Sequence, residues 1–339
     1  MRRRALLDGL LAAGLLGPAA SWAGAAARSV DDLPRIAGSL TLYLGRGEGG
    51  FYEDVIAAIE KRSPGLELAV RRGPSSALAN TLAAEARAGL RRADLFWAID
   101  SSALGFVARE AGARDVPASL RGALPPDRRF ASWVPVSGRV RTVPYNPERV
   151  DAGAIPRSVM DLAASDFSVG WAPAYGAFQS FITAMRLLEG DAATREWLRA
   201  VRPRATAYAG ELGVVLGVAR SEVDLGFANH YYTLRLKQGQ PDARVELAFT
   251  RDDAGVLLNA SGVVLLGEGD GPVDFVRHLL TSEVQSFLAR EAFEIPMVDG
   301  VEPPGGLPTL AELSPPRVDL EALADLRPTL ELLRQTGVL

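Results

Sequence analysis

From Ser39 onward the chain alternates strand-like and helix-like segments of similar length, and that alternation restricts it to a few layered folds. Residues 39–44 (Ser-Leu-Thr-Leu-Tyr-Leu) alternate in polarity and are apolar enough to be a strand. They run into the loop Gly45-Arg46-Gly47-Glu48-Gly49-Gly50, after which residues 51–60 have helical spacing with Glu53 and Asp54 in the first turn. Pro64-Gly65 ends that helix, 66–70 is the next strand, 77–88 a helix and 93–99 a third strand. The rhythm returns later, with strands over 140–145 and 169–172, a helix over 177–189 and a short strand over 224–228. Strands separated by helices of this length predict α/β architecture with mainly parallel, doubly wound sheets. In such sheets ligands sit beyond the carboxyl ends of the strands, which directs attention to the loops 45–50, 173–176 and 229 onward.

Composition bears on compartment and chemistry. The first residues give Arg2-Arg3-Arg4, an apolar stretch from Ala5 to Leu16, then small residues ending in Ser21-Trp22-Ala23. That is the order of an export signal, too short and too rich in Gly and Ala for a membrane span, so residues 1–24 are set aside as a leader. Arg3-Arg4-Ala5-Leu6-Leu7 leaves general and twin-arginine export both open. The chain has no cysteine, which removes disulfides, thiolate metal sites and a lipidated anchor together. The net charge is −4 and becomes more negative once the arginine-rich leader is removed, a surface that disfavours nucleic acid and offers no membrane-binding patch. A monomer free in the periplasm is the expectation.

The segment Asp224-Leu225-Gly226-Phe227-Ala228-Asn229-His230-Tyr231-Tyr232, with Arg235 and Lys237 after it, resembles the ferric-ion-binding proteins of bacterial ABC transporters. Further matches keep the family's order: Ala93-Asp94-Leu95-Phe96, Ser137-Gly138-Arg139-Val140-Arg141 through Tyr145-Asn146, and Gly170-Trp171-Ala172-Pro173 with Phe178-Gln179. The resemblance runs from residue 39 to residue 296. It implies a fold like the type II periplasmic binding proteins, two doubly wound lobes joined by hinge strands near residues 134–143 and 257–266. Lobe 1 would comprise 38–138 and 258–300, and lobe 2 139–257 and 301–339. It also implies that Tyr231 and Tyr232 ligate Fe³⁺, that Tyr175 is a third ligand, and that an inner-membrane ABC permease is the partner. Arg139, by the same resemblance, meets a synergistic anion such as carbonate or phosphate, with Gly176 and Asn229 beside it.

The residue chemistry is consistent with this. Fe³⁺ is a hard cation that favours anionic oxygen, and a phenol with pKa near 10 ionises at neutral pH when a strong Lewis acid drives it. Adjacent tyrosines reach one ion only if the backbone turns there, since a continuing strand would send them to opposite faces. Three phenolates would neutralise the charge of the ion. Of Arg139 and Arg141, Arg139 is the one expected to face the cleft. Relatives with a histidine in the first loop are not matched: Gly47 and Glu48 stand there, and Glu48 is the one oxygen donor that loop offers. With His230 and His278 the only histidines, a multi-histidine site is excluded. Asp100-Ser101-Ser102-Ala103 reads as a helix cap rather than a catalytic acid. The glycine loop lacks the Lys-Ser/Thr of a phosphate-binding loop.

Two other functions remain open. A related two-lobed protein for a phosphonate, thiamine or polyamine would want more donors or an aromatic box with carboxylates. An exported hydrolase would want a nucleophile elbow or a His-Glu-x-x-His motif, and neither is present.

Overall fold

The computed structural model describes residues 27–45, 51–320 and 322–339; the leader 1–24 and Glu48 lie outside these residues. The first half of the molecule is built from β1 (Ala37–Gly45), α1 (Phe51–Arg62), β2 (Gly65–Gly73), α2 (Ser75–Arg87), β3 (Leu95–Ala98), α3 (Ser101–Glu110) and the single turn α4 (Ala118–Arg121). β1 pairs in parallel with both β2 and β3. Alternation decides which face each residue covers. Leu42, Leu44, Leu95 and Trp97 enter one core with Val55 and Ile59 of α1, whereas Tyr43 and Phe96 enter another with Leu82 of α2 and Leu104 of α3. Both faces of the sheet are therefore covered by helices, as parallel strands require.

β4 (Val134–Tyr145) then leaves this half for the second. That half contains β5 (Val169–Trp171), α5 (Gly176–Val201), β6 (Ala205–Ala207), α6 (Glu211–Ala219), β7 (Leu225–Gly226), β8 (Ala228–Asn229), α7 (His230–Gly239) and β9 (Glu246–Ala248). The helix expected over 177–189 continues to Val201, but Gly190 breaks it with φ +85°, a conformation that costs glycine little. Phe178 and Phe181 of α5, Trp197 and Phe227 stack edge to face or tilted at 5.3–6.0 Å beneath β5 and β7. These rings supply the largest buried apolar surfaces of this half.

β10 (Leu258–Leu265) carries the chain back, followed by α8 (Gly271–Leu279), α9 (Ser282–Ala292) and the short β11 (Ile295–Pro296). The hydrogen-bonded path is β2-β1-β3-β10-β4-β7-β5-β6. β4 is the common member. Its first part runs antiparallel to β10, Val134 opposite Val263 to Val140 opposite Leu258; its last part pairs with β8, β7 and β9. The register slips at Ser261/Gly262, where a side chain on Gly262 would lie 2.6 Å from the Val134 carbonyl, so glycine is required at that bulge. α10 (Leu310–Leu313) and α11 (Arg327–Gln335) follow, and Leu320 and Leu323 between them join the core that includes Leu104, Phe181 and Leu332.

Candidate functional site

The carboxyl ends of the strands converge on a cavity of about 480 Å³ between the two halves. Each half contributes helix starts to it. After Trp171 the chain turns through Ala172-Pro173-Ala174, the Tyr175 amide donating to the Ala172 carbonyl at 3.0 Å, and Tyr175 becomes the N-cap residue of α5. Proline at 173 cannot extend a ladder, which fixes the turn there. The neighbouring Gly176 faces open space.

The tyrosine pair sits at a second such turn. β8 ends at Asn229, the N-cap residue of α7, and Tyr231 and Tyr232 occupy the first helical turn. The backbone thus bends where a strand would have separated them. Their ring centroids lie 4.6 Å apart, and the Tyr232 hydroxyl is 2.9 Å from that of Tyr175. The Asn229 amide donates to the Tyr231 hydroxyl at 3.4 Å. Arg235, one helical turn beyond Tyr231, lays its guanidinium 4.7 Å from the centroid of that ring.

Charged groups line the rest of the cavity. Arg139, Arg235, Asp100 and Glu294 all reach it. Arg139 donates to the Ile99 carbonyl. Burial works against its charge, yet Tyr231, Asp100, Tyr52 and Glu294 hold its pKa above the ordinary value. Tyr52 stacks on Trp97 at 4.3 Å and donates its hydroxyl towards both carboxylate oxygens of Glu294 at 3.1 Å. Burial raises the Glu294 pKa, with hydrogen bonds from Ser137 and Tyr52 and the fields of Arg139 and Arg235 opposing it.

That shift has a sign. A carboxyl whose folded pKa lies above its unfolded value of 4.5 favours the fold while protonated. Its contribution is present below the unfolded pKa and is lost as pH rises through the folded one. Glu294→Gln is therefore expected to raise the melting temperature of metal-free protein at pH 8 and to leave it unchanged near pH 4. Parallel pH profiles for variant and parent would contradict this.

The structure separates the two arginines of β4. Arg139 lines the cavity, whereas the Arg141 side chain is 3% exposed and is paired with Glu211, itself fully buried, at 2.5 Å. Asp100 accepts from the Ala103 amide at 2.8 Å and caps α3, while also reaching the cavity. His230 packs edge-on against the Tyr231 ring at 5.5 Å, but its nitrogens are engaged elsewhere: Nδ1 accepts from the Val140 amide at 3.2 Å and Nε2 lies 2.6 Å from the Phe293 carbonyl. Burial lowers its pKa to about 4, so it is a neutral brace between β4 and the end of α9. Glu294, Glu211 and Tyr52 were not singled out from the sequence. Arg235 was noted only as a basic neighbour of the tyrosines, although its spacing of four residues from Tyr231 places it on the same helical face.

Residues 40–294 match the family model described as bacterial extracellular solute-binding protein. A Serratia marcescens protein described as an Fe(3+)-binding periplasmic protein is 28% identical over 289 residues, 82% of this chain and 85% of its own. The crystal structure of iron-bound HitA from Pseudomonas aeruginosa superposes with a TM-score of 0.76 and 26% identity, covering 90% of this chain and 100% of that one. The binding protein AfuA of Actinobacillus pleuropneumoniae, solved with fructose-6-phosphate, superposes at 0.67 with 16% identity over 89% of this chain and 99% of its own. Fold alone therefore does not select the solute; the side chains of the cleft must.

Proposed function

Because the chain belongs to the bacterial extracellular solute-binding protein family, we propose that it captures ferric iron in the periplasm and delivers it to an inner-membrane ABC permease. The observation that carries this reading is the approach of the Tyr175 and Tyr232 hydroxyls to 2.9 Å beside the ring of Tyr231, at the wall of a cavity that Tyr175 and Tyr231 line. Phenols brought together from two separate helix starts form a donor set for one hard cation. On loading, each would give up its proton and the three phenolates would balance Fe³⁺, so the low-dielectric cleft would hold a neutral cluster. Among the described residues no group of three or more His, Asp or Glu is arranged to hold a metal ion, so oxygen donors would come chiefly from tyrosine. Glu48, from the loop after β1, is a further donor on closure. Arg139 and Gly176 border the same cavity, and Asn229 steers Tyr231.

Delivery follows from the way the halves are joined. We take residues 38–138 with 258–300 as one lobe and 139–257 with 301–339 as the other, hinged where β4 and β10 cross. Iron binds the closed arrangement better than the open one and so shifts the population towards it. A permease then distinguishes loaded from empty protein by shape. Among the described residues no helix is long and apolar enough to cross a membrane. Residues 1–24 would direct export.

Aerobic titration of purified protein with ferric ion tests the reading. A visible phenolate-to-iron absorption band that saturates at one equivalent is expected. A phosphonate, thiamine or polyamine that stabilises the protein while ferric ion gives no colour would replace it. Tyr175→Phe is expected to weaken ferric binding by more than about tenfold and to shift the band, since one anionic donor is lost. An unaltered spectrum would remove Tyr175 from the coordination shell.

A further inference from the structure

Behind the cavity wall lies a carboxylate that no motif marks. Glu211 is the first residue of α6 and its side chain has no solvent exposure. One oxygen pairs with Arg141 Nη1 at 2.5 Å, and the other accepts from the backbone amide of Asn229 at 2.8 Å. Asn229 is the cap of the helix that carries Tyr231 and Tyr232. The other Nη of Arg141 donates to the carbonyl of Ala177, two residues beyond Tyr175 in the first turn of α5. The Arg141 guanidinium also covers the ring of Phe181 at 5.3 Å. A single buried ion pair therefore fastens together the starts of both tyrosine-bearing helices. Its two partners, Ala177 and Asn229, are themselves part of the cavity lining.

The surroundings of Glu211 are those of an anion site: a guanidinium, a backbone amide at a helix start, and exclusion of water. The chain fills that site with its own side chain. We propose that Glu211 is a tethered anion that sets the positions of Tyr175, Tyr231 and Tyr232, so that this protein loads its cation without a soluble synergistic anion. A tethered carboxylate loses no translational freedom when the site assembles, which a soluble carbonate or phosphate must. The charges close without one. Three phenolates balance the ferric ion, Glu211 answers Arg141, and Asp100 and Glu294 share the cavity with Arg139 and Arg235, two charges of each sign. Glu211 touches no cation; it is a positioning residue. The inference rests on the ferric reading above, and the experiment separates the two.

Ferric titrations are run on the full mature chain in carbonate-stripped, phosphate-free chloride buffer, then with added bicarbonate, phosphate or formate. The parent protein is expected to develop its full band in chloride alone, with less than about a twofold change in affinity on adding any of the three. Glu211→Ala is expected to bind iron at least about tenfold more weakly, with a displaced band, and formate should restore both by entering the vacated space. Formate should also raise the melting temperature of metal-free Glu211→Ala while leaving the parent unaffected, a readout independent of iron. Glu211→Gln keeps the volume without the charge and should bind weakly with no response to formate; it serves if the alanine variant does not fold. A parent protein that colours only with bicarbonate or phosphate would overturn the proposal. So would Glu211→Ala or Glu211→Gln binding as the parent does, or a folded Glu211→Ala that ignores formate. A parent that never colours, whatever the anion, would instead sink the ferric reading itself.

Discussion

Tyr231→Phe and Tyr232→Phe are each expected to weaken and shift the ferric absorption band and to weaken binding by at least about a hundredfold, roughly 2.7 kcal/mol. The size follows from the kind of group removed. Loss of a neutral neighbour of a metal ligand costs about 10–100-fold, and an anionic donor facing a trivalent ion in a dry cleft should cost more. Phenylalanine keeps the ring, so the apo fold should be nearly unaffected. For Tyr232 the 2.9 Å bond to Tyr175 is lost, about 1 kcal/mol. The measurement is a visible titration beside a denaturation curve for each variant. Unchanged colour in either variant would return that tyrosine to a packing role, the tilted pair at 4.6 Å being then no more than an aromatic contact.

Arg141→Met is expected to destabilise the protein by about 3–5 kcal/mol, read as a lower denaturant midpoint at constant slope. The distance between charges does not predict this; burial does. Arg72 and Glu53 also lie 2.5 Å apart, but their side chains are 53% and 41% exposed. Water solvates either partner once the other is gone, so Arg72→Met should cost less than about 1 kcal/mol. Glu211 has no such recourse. Without Arg141 its charge keeps one bond, to the Asn229 amide, in a site closed to solvent. Arg141→Met combined with Glu211→Met should recover much of the loss, because paired apolar replacements remove the stranded charge. A cost below about 1 kcal/mol for Arg141→Met alone would show that the pair is wetter than its geometry implies.

The contrast between the two arginines also shows what local sequence carries. The spacing of two puts Arg139 and Arg141 on the same side of β4, and the structure separates them by depth instead: Arg139 lines the cavity, whereas Arg141 is buried against Glu211. Proline and glycine punctuation was enough to place the turns before Tyr175, and the tyrosine pair needed only a bend after Asn229. What Arg141 would meet was not legible. Glu211 is 70 residues away in sequence and starts an apolar helix, where a first-turn acid ordinarily faces solvent and favours the helix dipole. Glu294 is hidden for the same reason: its partner Tyr52 is 242 residues distant, across the return of the chain through β10. Glycine at 190 broke the helix where the apolar spacing stopped, and the continuation to Val201 was missed because the chain resumes helical geometry at once.

β4 is both the joint and the workbench. The strand that passes from one half to the other presents Arg139 to the cleft and sends Arg141 inward two positions later. A protein with its pivot in a separate loop can swing without its chemistry noticing. Under the proposed hinge, any tilt of one half against the other would re-aim a guanidinium at the cargo, so the grip on the metal and the posture of the molecule would be governed by the same dozen peptide units.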